Sequence, residues 1–123
     1  MHNLDQLAAK YAQEVVQAGD TNIETTVTKA LGVLQENGVY ACFLYLRAKE
    51  KDNGKTVVKK MLCLLAELGF DEGKPADDAP VETILKHVSD KVTVDLERLL
   101  LAKETLEQML IYARYGAKAR SKE

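Results

Sequence analysis

Residues 39–46, VYACFLYL, form an unbroken run of eight apolar residues, and their reading decides the fold. Periodicity alone leaves two states open, because such a run suits a buried strand as well as a buried helix. Three observations favour helix. Val39 is the one β-branched residue of the run, and the flanking segments are rich in Ala, Leu, Glu and Lys. No second strand-like run exists to pair with it, and a lone strand would leave its backbone groups unsatisfied. A helix that is apolar all round belongs at the centre of a bundle, so this segment is predicted to be the buried central helix of an all-α fold.

Working outward, Asn37-Gly38 supplies a left-handed residue that closes a preceding helix. That helix runs from a cap at Asp20 or Thr21 to about Gln35, with Ile23, Val27, Ala30, Leu31 and Leu34 on one face. Before it, Leu4, Leu7, Ala8, Tyr11, Ala12 and Val15 follow the i, i+3, i+4 spacing of a first helix ended by Gly19-Asp20. After the central run, Asp52-Asn53-Gly54 reads as a turn. Val57, Val58, Met61, Leu62, Leu65 and Leu68 then predict a fourth helix ending at Gly69. Residues 71–79, DEGKPADDA, read as a loop. Pro80 opens a short fifth helix bearing Val81, Ile84, Leu85 and Val88, which Ser89-Asp90 breaks. A last helix is predicted from about Thr93 to Lys118, about 39 Å long at 1.5 Å per residue. Its seam is Leu96, Leu99, Leu100, Leu106, Met109, Leu110 and Ala113, and it frays from Gly116. No repeat at a solenoid period is present, so residues 1–123 are expected to form a single compact bundle of about five to six helices.

Composition agrees with one compact domain: of 123 residues, 46% are hydrophobic and 29% charged, with two prolines and seven glycines. That excludes disordered, collagenous and low-complexity classes, and a chain of this length needs neither metal nor disulfide to be stable. The opening MHNLDQLAAK has no apolar stretch of secretory length, and nowhere do 18 apolar residues run together. A cytoplasmic protein without membrane contact is expected. Cys42 and Cys63, in apolar runs without C-x-x-C spacing, are then read as buried free thiols.

Catalysis finds few candidates, since the chain has two histidines (His2, His87), two serines (Ser89, Ser121) and no tryptophan. His87, beside Val88, reads as a surface or half-buried histidine rather than a base. Asp71-Glu72 and Asp77-Asp78 read as solvated loop acids, because the loop lacks the Gly and Glu positions of a calcium site. The glycines fall in no phosphate-loop or dinucleotide pattern. A noncatalytic protein with no cofactor and no metal is expected.

Charge is more informative in its distribution than in its sum of −2. Residues 47–60 hold six basic residues (Arg47, Lys49, Lys51, Lys55, Lys59, Lys60) against two acids, and the tail adds Arg114, Lys118, Arg120 and Lys122. Residues 67–82 hold six acids (Glu67, Asp71, Glu72, Asp77, Asp78, Glu82) and one lysine. Such polarity suits one phosphate-facing and one partner-facing surface, although charge runs such as Lys59-Lys60 also serve simply to solvate a helix. Tyr40, Tyr45, Tyr112 and Tyr115 can stack bases, or else sit in the core with the hydroxyl at the surface. Lys55, Lys59, Lys60, Arg114, Lys118 and Arg120 are the candidate phosphate contacts.

Three segments resemble the small α-helical subunit, the fifth, of the Cmr module of type III-B CRISPR effector complexes of prokaryotes. In the first helix, residues 11–16 (YAQEVV) resemble the family's alanine followed by valine. Residues 34–46 (LQENGVYACFLYL) resemble its glycine between one helix and a buried apolar one. Residues 104–106 (ETL) and 111–116 (IYARYG) resemble its closing Trp-aromatic-x-Arg-aromatic-Ala, with Ile111 for the tryptophan and Gly116 for the alanine. Arg114 keeps its place. The small subunit of the type III-A (Csm) complex is similar as well, and a helical adaptor that binds only protein, through an apolar stripe on the last helix, is a reading of another class. What the Cmr resemblance implies is a noncatalytic assembly role. Copies stack along the crRNA-carrying backbone subunits, touch the large polymerase-like subunit, and help hold target RNA while guide pairing supplies specificity.

Overall fold

The computed structural model describes residues 3–70, 74–76 and 78–122. Among these there is no strand, and the chain forms a small all-α bundle around one hydrophobic core. The elements are α1 (Leu4–Ala18), α2 (Ile23–Asn37), α3 (Val39–Lys49), α4 (Asp52–Glu67), α5 (Val81–His87) and α6 (Leu96–Ser121). A π-helical turn, Val88–Val92, continues α5.

The decisive segment is helical. Gly38 alone joins α2 to α3, at φ +96°, a left-handed value that an L side chain rarely adopts. Val39, Cys42, Phe43 and Leu46 of α3 lie in the core, and α3 packs on α2, α4, α5, α6 and the π turn. Its other face presents Tyr40 and Leu44 to solvent, so the helix is apolar all round but buried along one side.

Several sequence expectations change once packing is considered. Asp52-Asn53-Gly54 is the first turn of α4, not a loop. Asn53 is buried there, donating to Asp20 Oδ1 at 2.6 Å and accepting from the Asp20 amide at 3.2 Å. Gly54 lies so close to α3 that an added Cβ would stand 2.2 Å from the Leu46 carbonyl oxygen. At the other end of α4, Gly69 has φ +102° and donates to Ala66, while Phe70 donates to Leu65, which closes the helix with a Schellman motif.

The chain does not break at Ser89-Asp90. It widens into the π turn, in which the Thr93 amide reaches the Val88 carbonyl. Helix α6 begins about three residues later than predicted, because Asp95 caps it by accepting from the Arg98 amide at 2.8 Å. It also passes through Gly116 to Ser121 instead of fraying, since Gly116 lies against Val16 of α1. The seam shifts with it: Ala102, Thr105, Leu106, Met109, Leu110, Ala113 and Ala117 are buried, while Leu96 and Leu100 are exposed. Cys42 is a buried free thiol as expected, donating to the Ala30 carbonyl, and burial pushes it up to about 12. Cys63 is only partly buried. His2, Asp71, Glu72, Asp77 and Glu123, part of the sequence reading, lie outside the described residues.

Helix directions position the surface. Glu14 meets Lys60, and Tyr11 meets Glu67, so α1 and α4 are antiparallel. Tyr112 donates to Asp5, and Arg120 donates to the Val16 carbonyl, so α1 and α6 run parallel. Arg120 near the end of α6 donates to the Asp20 carbonyl just before α2, and the two helices pack on each other, so α2 and α6 are antiparallel. In this arrangement the first turn of α2 meets the C-terminal half of α6.

Candidate nucleic-acid interface

That meeting forms a groove of about 380 Å³ lined by Glu24, Thr25, Thr28, Lys29, Arg114 and Lys118. Each helix contributes one face: Glu24, Thr25, Thr28 and Lys29 follow helical spacing on α2, and Arg114 and Lys118 are one turn apart on α6. Three cations therefore surround two hydroxyls and a single carboxylate. At the start of α2 the Asn22 side chain makes no cap, and Asp20 instead accepts from the Asn22 and Ile23 amides.

Arg114 carries the site. Its Nε is buried without a hydrogen-bond partner, whereas its terminal nitrogens keep access to solvent. Among the described residues it forms no ion pair with Glu104 or Glu107. A guanidinium already stripped of part of its water surrenders less hydration when an anion reaches its outer edge.

The other candidates sit elsewhere. Lys55 and Lys59 are exposed on α4. Lys60 bridges to Glu14 at 2.9 Å with its side chain 18% exposed, so it ties α4 to α1. Arg120 donates to the carbonyls of Val16 and Asp20, and so supplies the cation that the last turn of α1 lacks. The six candidates thus divide into an α4 group and an α6 group, and only Arg114 and Lys118 share a groove. Thr25, Thr28 and Lys29 were not singled out from the sequence, and a lone lysine among threonines carries no local signal.

Of the tyrosines, Tyr45 and Tyr112 are half-buried with hydroxyls on Glu50 and Asp5, as the core reading expects. Burial, and after it the Glu50 contact, push the Tyr45 hydroxyl up to about 12. Tyr40 and Tyr115 are exposed instead, and Tyr115 neighbours Arg114 on α6 with 61% of its surface free. At the other end of α6, Val94, Leu96 and Leu100 are exposed apolar residues. Glu67 of the acidic segment is engaged within the bundle, accepting from Tyr11 and facing Lys10 at 3.9 Å.

His87 is buried, not at the surface, and neither ring nitrogen has a hydrogen-bond partner. Burial holds its pKa below the ordinary imidazole value. Among the described residues no three His, Cys, Asp or Glu side chains group as metal ligands, and no helix is long and apolar enough to cross a membrane. Fold and groove together define a small helical bundle with a cationic cleft. Neither a known protein family, nor a curated protein, nor a solved structure matches the chain.

Proposed function

We propose that this protein is a noncatalytic, RNA-contacting small subunit of a type III-B CRISPR (Cmr) effector complex. The reading rests on the sequence resemblance and on one structural observation: Arg114 and Lys118 share a groove with Lys29, and Arg114 has no internal partner. Its partners are the large polymerase-like subunit, the backbone subunits, further copies of itself, and crRNA with its target. The protein contributes backbone electrostatics, with exposed Tyr115 as a stacking platform, while base pairing supplies sequence.

Purification of the tagged protein from its host at moderate salt, with identification of bound proteins and RNA, tests the reading. Recovery of a large subunit, backbone subunits and short guide RNAs supports it; protein partners without guide RNA overturn it. Inside the assembled complex, charge reversal by Arg114→Glu with Lys118→Glu is expected to weaken target RNA binding. Unchanged binding removes the groove from the proposal.

The adaptor reading is favoured by a different observation. Leu96 and Leu100 are 67% and 54% exposed, giving α6 the apolar stripe that a protein partner would cover. In that case partners stay attached after RNase treatment and no RNA cross-link forms.

A further inference from the structure

We infer that the α2–α6 groove is a seat for a single dianionic phosphate group, held by Thr25, Thr28 and Lys29 of α2 together with Arg114 and Lys118 of α6. The seat rests on the RNA reading for its source, the phosphorylated end of a strand, and free phosphate or a small phosphomonoester presents the same chemistry.

Charge sets the class of ligand. Lys29, Arg114 and Lys118 against Glu24 leave two positive charges in the groove, which match a phosphomonoester better than the single charge of an internal phosphodiester. Donor chemistry points the same way, since hydroxyls, an ammonium and a guanidinium can each donate to a phosphate oxygen. The groove, about 380 Å³, has room for a phosphate group. Arg114 is the key donor: its Nε is buried without a partner, and among the described residues none of its nitrogens is spent on an internal hydrogen bond or ion pair, so the guanidinium keeps its donors for a ligand.

Glu24 is the informative residue, because it opposes the ligand it lines. Removing its charge is expected to tighten binding by about threefold, an effect that a merely structural carboxylate would not produce. Thr28→Val, which keeps shape and removes the donor, is expected to weaken binding about tenfold.

The test is a titration of the full-length isotope-labelled protein with inorganic phosphate, followed by amide and arginine Nε–H resonances, with chloride at matched ionic strength as reference. Saturable shifts confined to the first turns of α2, to Lys118 and to the Arg114 Nε–H support the seat, as does the opposite response of Glu24→Gln and Thr28→Val. Shifts that grow linearly and spread over all lysine-bearing surfaces overturn it. Oligonucleotides with a 5′-phosphate or a 5′-hydroxyl separate the sources. Saturable phosphate binding without RNA binding keeps the seat and overturns the RNA reading. RNA binding with no phosphate response, unaffected by Thr28→Val, overturns the seat and leaves the RNA reading standing.

Discussion

Gly54 shows how one missing methyl group decides a helix contact. A Cβ there would meet the Leu46 carbonyl oxygen at 2.2 Å and the Glu50 Cβ at 2.8 Å, and backbone oxygen has no rotamer by which to retreat. Gly54→Ala is therefore expected to destabilise the fold by about 1–3 kcal/mol, read as a lower urea midpoint at unchanged slope. Gly32 is the control: it lies within α2, and a Cβ there meets nothing within 4 Å. Gly32→Ala should raise stability by about 0.5–1 kcal/mol. His87 makes the other residue-level case. Its imidazole is buried, and that burial outweighs the opposing contact with the Phe70 backbone, so its folded pKa is lowered. Below the ordinary value of about 6.5 the unfolded chain binds the proton first, and stability falls as pH drops from there toward the lowered folded value. Denaturant midpoints measured from pH 8 to 5 should show that slope, and His87→Leu should flatten it. Asp20, whose pKa is lowered chiefly by its Asn53 hydrogen bond, acts only in a more acidic window below its usual range.

Helix pairs are held at their ends by polar contacts that the apolar pattern does not announce. Glu50, in the short link between α3 and α4, accepts from buried Thr26 of α2 and from Tyr45 of α3, both at 2.8 Å. Glu50→Ala leaves the Thr26 hydroxyl without its partner, and a loss of about 1–3 kcal/mol is expected. A double-mutant cycle of Glu50→Ala with Tyr45→Phe should give a non-zero coupling, since the two changes remove a shared contact. Helix type and order were legible in the chain because the 3.6-residue period of Leu, Val and Ala is strong. The ends were less so. Asp52-Asn53-Gly54 has turn chemistry, yet Asn53 is claimed by Asp20 and Gly54 by α3, both distant in sequence. Likewise Gly116 reads as a helix end until α1 is packed against it. The groove was half legible: Arg114 and Lys118 stand out in a basic tail, whereas Thr25, Thr28 and Lys29 acquire meaning only when α2 docks antiparallel to α6.

The longest helix separates two surfaces of opposite character on a single rod. Between Leu100 and Arg114 the rise of 1.5 Å per residue places about 21 Å, so the exposed apolar start of α6 and the cationic groove near its end are independent sites. Variants at the two places should therefore add without coupling. Leu100→Lys, at a side chain 54% exposed, is expected to leave stability within about 0.5 kcal/mol and to release any protein partner that covers the stripe. RNA affinity should be unaffected by it. The groove, in turn, governs salt dependence: seating one dianionic phosphate end neutralises two charges, so single-strand affinity should fall about sevenfold between 50 and 200 mM salt, a log–log slope near −1.4. Lys118→Gln should make that slope shallower by about 0.7. A salt slope that Lys118→Gln leaves unchanged, with partner loss on Leu100→Lys, would assign the function of the molecule to its apolar end.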